Sequence, residues 1–222
     1  MKKFRLSKNL LLALYLIGIV WFCHHFVIRP VILDWGAPEA LRNLPLPGDV
    51  FTDGDQHTRA VLVNATPEQL WPWLIQIGQE RGGFYSHQWL ENIFRARMKN
   101  VYSIDERFQQ PRNVGDTVWL ATKEHYNGGG YQIVAEITPL KSYIMVGGKD
   151  YARIQNGQKA SGSWAFYLYP LNDRSTWLIV RSSSGDISRG EKLLRYFTFE
   201  VPHFIMEARM LNTLKRLVEE KS

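Results

Sequence analysis

Residues 201–220 read VPHFIMEARMLNTLKRLVEE, and this stretch decides the fold. Val201, Phe204, Ile205, Ala208, Leu211, Leu214 and Val218 recur at the spacing of one helical face. Pro202 suits a first helical turn, where its missing N–H would have no intrahelical partner anyway. A long amphipathic helix at this place needs an apolar surface to cover, and the preceding chain supplies it.

Reading backwards, 163–169 and 176–182 alternate with period two around Leu171-Asn172-Asp173-Arg174, a hairpin pattern. A strand at 142–146 follows the turn Pro139-Leu140-Lys141, and strands at 117–123 and 131–138 flank Asn127-Gly128-Gly129-Gly130. The first strand is expected at 58–64, with Ala60 and Leu62 on one side and Val61 and Val63 on the other. Helix chemistry follows it: Thr66-Pro67-Glu68-Gln69 is a capping box, and Leu70, Trp71, Leu74 and Ile77 form a stripe, with Pro72 expected to kink it and Gly78 to end it. Ser86 is expected to cap a second helix bearing Trp89, Leu90, Ile93 and Phe94. The order predicts an α+β domain, a curved antiparallel sheet around a long C-terminal helix, with a cavity between them.

Residues 10–28 carry no Asp, Glu, Lys or Arg, and nineteen helical residues span roughly the 30 Å hydrocarbon core of a bilayer. Lys2, Lys3, Arg5 and Lys8 precede the run, which predicts a cytoplasmic N-terminus, a single-pass cell-membrane helix and an extracytoplasmic domain. A cleaved signal peptide is the competing reading, but Trp21-Phe22-Cys23-His24-His25 offers no small-x-small cleavage site. The expected organisation is a basic segment at 1–9, a transmembrane helix at 10–28, a Pro-rich linker or strap at 29–56, and a ligand-binding domain at 57–222.

The formal net charge is +6, yet five of the 27 basic residues lie in the first 33 positions, where no acidic residue occurs. The remainder carries 22 basic and 21 acidic residues, so no phosphate-tracking field and no nucleic-acid partner are expected. Cys23 is the only cysteine, which excludes an intramolecular disulfide and a cysteine-based zinc site. No phosphate loop, nucleophile elbow or zinc motif is present, and no metal or cofactor is expected. The domain is expected to be a monomer.

Trp71-Pro72-Trp73-Leu74, Gln76, Gly78, Arg81-Gly82-Gly83-Phe84-Tyr85-Ser86 and Trp89-Leu90-Glu91-Asn92 resemble the bacterial SRPBCC proteins of the START-like superfamily, a subgroup often labelled polyketide cyclase or dehydrase-like. Val114-Gly115-Asp116, Pro202-His203-Phe204 and Met206-Glu207 are similar to the same family. The resemblance covers roughly 35–220 and implies a helix-grip fold, with seven antiparallel strands around the C-terminal helix and an internal hydrophobic cavity. Superfamily members bind lipids, sterols and polyketides, and some are enzymes.

Candidate ligand-binding residues are Trp73, Gln76, Arg81, Tyr85, Trp89, Trp164, His203 and Glu207. Arg81 offers a planar donor fork to an anionic group at a cavity mouth, or else pairs locally beside the tight Gly82-Gly83 turn. His203 and Glu207 stand four apart on one helix side, either as a cavity-facing pair or as a surface pair. Trp164, Phe166 and Leu168 share one strand face, Tyr167 and Tyr169 the other. Two function classes follow: a tethered domain binding a hydrophobic or amphipathic small molecule or lipid, and a cyclase or dehydrase-like enzyme using Glu80, Arg81 or His203. No catalytic residue is assigned.

Overall fold

The computed structural model describes residues 7–93, 95–185 and 188–220, and of Tyr126 the backbone only. The basic residues Lys2, Lys3 and Arg5, and Phe94 of the second helix, lie outside the described residues.

Six strands form one antiparallel sheet in the order β1-β6-β5-β4-β3-β2. They are β1 (Gln56–Val63), β2 (Thr117–Trp119), β3 (Tyr131–Thr138), β4 (Ser142–Gly147), β5 (Gly162–Asn172) and β6 (Ser175–Ser184). Helix α7 (Glu200–Glu219) packs on one face, so the domain has a helix-grip arrangement. The resemblance implied seven strands. The described residues make six, and the strand expected at 117–123 stops at Trp119, where the chain leaves the ladder for a turn at 120–124.

The buried face of α7 is Glu207, Met210, Leu211, Thr213, Leu214, Leu217 and Val218. Val201 and Ile205, expected on that face, are exposed. Strand alternation sends Val61, Val63, Tyr143, Met145, Phe166, Leu168, Leu178 and Val180 towards α7, where Leu70, Trp73 and Leu74 of α3 (Pro67–Ile75) join them. These side chains pack into one core on the concave side. The capping box at Thr66 and Gln69 is present, and Pro72 stands inside α3.

The opposite sheet face carries a second core. Ala60, Ile144, Ala165, Tyr167 and Ile179 pack against Ala37 and Leu41, with Leu44, Leu46 and Phe51 beside them. Residues 34–52, including α2 (Glu39–Arg42), thus lie as a strap on the sheet. Arg181 of β6, 2% exposed, fastens it. Its guanidinium donates to the carbonyls of Leu41, Arg42 and Leu44, to Thr58 Oγ1, and to Asp49 at 2.8 Å. Tyr167 donates its hydroxyl to the Pro47 carbonyl.

Helix α1 (Lys8–Leu33) runs 26 residues, with a π-helical turn at His24–Ile28. It is long and apolar enough to cross a membrane by length and composition, and none of its apolar window is buried against the domain. Besides the short α2 in the strap, two helices were not foreseen, α5 (Gly148–Gln155) and α6 (Arg189–Thr198). Both are short and polar on average, and a pattern search for apolar stripes passes over them.

Candidate functional site

The eight residues singled out from sequence fall into two groups and one outlier. Trp73, Gln76, Arg81 and Tyr85 belong to a packed knot. Gln76 is fully buried; its amide donates to Tyr85 Oη at 2.6 Å and to the Ser103 carbonyl, and its oxygen accepts from Gln109 and from the Asp105 amide. The Tyr85 ring meets Trp73 edge-on at 5.9 Å, and burial pushes its phenol well above the ordinary range. Arg81 donates to the carbonyls of Ile75, Phe108 and Gln110 at 2.8–3.0 Å. All three bonds run from Nη1, which ties the side chain to the local backbone in the manner of the local-pairing reading. Gly83 stands at φ +80, and a side chain there would collide with Asn100, whose side-chain Oδ1 accepts from the Phe84 and Tyr85 amides. Glu80 is also engaged, by Arg112 at 2.6 Å and by the Trp119 amide.

Trp89 is 64% exposed on α4 (Gln88–Ile93), and Ile93 is exposed beside it. The helix buries Glu91 instead, whose carboxylate takes the Ser86 hydroxyl at 2.6 Å. Ser86 thus serves a side chain, and of the expected apolar stripe Trp89 and Ile93 are exposed while Leu90 is half-buried.

Trp164, His203 and Glu207 come together at the other end of the concave face. On β1, period two places Arg59 and His57 on the side of Val61 and Val63, so a strand face that begins polar and charged ends apolar. Arg59 is 3% exposed. It donates to Glu207 at 2.5 Å and, through Nε, to the Ile32 carbonyl at 2.8 Å. Trp164 donates its indole N–H to the other Glu207 oxygen at 2.7 Å. His203 Nδ1 lies 3.3 Å from Arg59, and its Nε2 3.8 Å from Glu207. Burial lowers the pKa of His203; Glu207 opposes the shift and Arg59 adds to it. Glu207 is 3% exposed, so the surface-pair reading gives way to an interior network. Both its oxygens already hold donors, which leaves it poorly placed to take a proton from a substrate.

Arg59 and His203 of this network line a cavity of about 160 Å³. Arg29 and Leu33 of α1, Asp55, His57 and Arg59 around β1, Ser182, Ser183 and Ser184 of β6, Lys192 and Arg195 of α6, and Phe199, Glu200 and His203 of α7 line it. Four cationic side chains face two carboxylates. Arg29 holds Glu200 through two bonds of 2.7 and 2.8 Å, and Lys192 stands 3.7 Å from Asp55. Among the described residues Arg195 makes no ion pair, and Ser182 Oγ is buried without a hydrogen-bond partner. Burial also lowers the pKa of His57. Both cavity histidines therefore favour the neutral form, and the positive balance comes from Arg and Lys.

Sequence reasoning missed Arg59, Ser182, Lys192 and Arg195. Arg59 carried a legible signal, because a charge on the apolar side of a strand must be paired. Lys192 and Arg195 belong to the unforeseen α6. Among the described residues no group of three or more His, Cys, Asp or Glu side chains is placed to hold a metal.

No family model and no curated protein matches the chain. Similar solved structures include Aha1 from Colwellia psychrerythraea, solved as a dimer, at 15% identity and TM-score 0.41 over 74% of this chain and 96% of that one. The self-sacrificing resistance protein CalC from Micromonospora echinospora is similar at 10% identity and TM-score 0.42, over 78% of this chain and 97% of that one. A Polyketide_cyc-like protein from Corynebacterium glutamicum is similar at 12% identity and TM-score 0.38, over 76% and 94% of the two chains.

Proposed function

We propose that this chain is a membrane-tethered binding protein that takes up an amphipathic small molecule or lipid, holding its polar, anionic end in the cavity at the base of the sheet. The observation that carries this reading is the lining itself. Arg29, Arg59 and Lys192 are matched by Glu200, Glu207 and Asp55, which leaves Arg195 as the cation without an ion pair among the described residues, and Ser182 adds an unpaired hydroxyl. Arg side chains bind phosphate and carboxylate through paired N–H groups. Leu33 and Phe199 give the cavity an apolar side towards α1, along which the rest of an amphiphile runs to the bilayer.

In this reading α1 spans the membrane through 10–28 and is not cleaved, with the N-terminus cytoplasmic and the domain outside. Its end is built into the domain, which supports retention: Arg29 pairs with Glu200, the Ile32 carbonyl accepts from Arg59, and His24 bonds to Tyr196. Binding is favoured over catalysis because Glu80 and Arg81 are committed to internal partners, and His203, the candidate that lines the cavity, stands against Arg59 and a Glu207 whose oxygens already hold donors. Mass spectrometry of the full-length protein extracted in mild detergent should find one anionic amphiphile retained per chain. A protein that retains none, and takes none up from mixed-lipid micelles, contradicts the proposal.

A further inference from the structure

Helix α6 is a short helix with three basic residues, Arg189, Lys192 and Arg195, and one acidic residue, Glu191. At 100° per residue, Leu193, Leu194 and Phe197 fall on one side of it, and Lys192, Arg195 and Tyr196 on the other. The apolar three are 61%, 63% and 66% exposed, so this face does not pack on the domain. The opposite side is fixed: Lys192 and Arg195 line the cavity, and Tyr196 is tied to α1. Tyr196 Oη lies 2.9 Å from His24 Nδ1, and the Arg29 guanidinium sits 5.4 Å over the Tyr196 ring.

These ties set the depth of α6. They join it to positions 24–29 of α1, where the apolar run 10–28 ends, and a run of that length reaches from one bilayer surface to the other. A helix held at that level, apolar on its free side and basic on the opposite side, has the composition of an interfacial helix on anionic lipid.

We propose that α6 lies in the membrane interface, with Leu193, Leu194 and Phe197 inserted among the acyl chains of an anionic bilayer. Because Lys192 and Arg195 are shared, this docking brings the mouth of the cavity to the headgroup layer, where an amphiphile enters without crossing water. The inference rests on the reading of α1 as a membrane span.

The test uses full-length Cys23→Ser protein in vesicles of phosphatidylcholine and phosphatidylglycerol, with one environment-sensitive fluorophore on Leu194→Cys, Ile17→Cys or Leu171→Cys. Leu171 lies at the turn of the β5–β6 hairpin, the other end of β5 from Gly162, which pairs with Ser184 of the cavity. Nitroxide-labelled phospholipids should quench the Leu194 and Ile17 labels several-fold more than the Leu171 label, and aqueous iodide should show the reverse order. If the Ile17 label is quenched from lipid while the Leu194 label responds to iodide like Leu171, the docking of α6 is overturned and the span stands. A Leu194 label shielded from both quenchers places a protein surface there, a second copy included, and also overturns the docking. Loss of lipid quenching at Ile17 removes the span, and this inference with it.

Discussion

Arg59 and Glu207, 148 positions apart, meet at 2.5 Å with side-chain exposures of 4% and 2%. The contact joins the first strand to the terminal helix and carries the Ile32 carbonyl and the Trp164 indole in the same network. Breaking one side of a buried pair leaves the other charge without compensation. Glu207→Ala should therefore lower the unfolding free energy by about 3–5 kcal/mol in chemical denaturation. The double variant Arg59→Met/Glu207→Leu, which removes both charges, should recover much of that loss.

Arg181 makes the corresponding tie on the other sheet face. Arg181→Met should strand the carbonyls of Leu41, Arg42 and Leu44 and the Asp49 carboxylate, at a cost of at least about 3 kcal/mol. For the same reason a fragment of residues 57–222 should aggregate, since Ala60, Ile144, Ala165, Tyr167 and Ile179 lose their cover. Adding residues 29–56 should restore a soluble species, as read by size-exclusion chromatography.

Arg81→Ala should act on stability rather than binding. Three backbone carbonyls lose their donor, with an expected cost of roughly 1–3 kcal/mol seen as a lower melting temperature. Affinity for an amphiphile should stay within about twofold, because Arg81 is not among the cavity-lining residues.

The element order was legible because it rests on local chemistry. The capping box before α3, the glycine-rich loop before β3 and the alternation in β5 and β6 each act within a few residues. The site was less legible because its parts are defined by which face they share. Glu207 sits one helical turn before Leu211, and Arg59 two positions before Val61, so each occupies a core-facing position that helical or strand period indicates. Arg81 misled for the opposite reason: guanidinium chemistry is the same whether its acceptor is a ligand or a carbonyl. Trp89 misled because aromatic residues at helical spacing read as a buried face, while α4 buries Glu91.

Stability should fall on acidification. Burial lowers the folded-state pKa of both His57 and His203 below the ordinary 6.5, so between that value and the lower one the unfolded chain binds more protons. Unfolding free energy should thus be at its full value above about pH 6.5 and decline below it. His203→Gln should flatten that slope, and an unchanged slope would remove His203 from the titration.

The most direct measurement is equilibrium binding of a single-chain phospholipid, lysophosphatidylglycerol, and of its uncharged counterpart, monoacylglycerol, to the full-length protein and to Arg195→Gln. The cationic lining predicts that the charged amphiphile binds at least about tenfold more tightly, and that Arg195→Gln removes most of that difference. Equal affinity for the two amphiphiles, unaffected by the substitution, would contradict a headgroup site in this cavity.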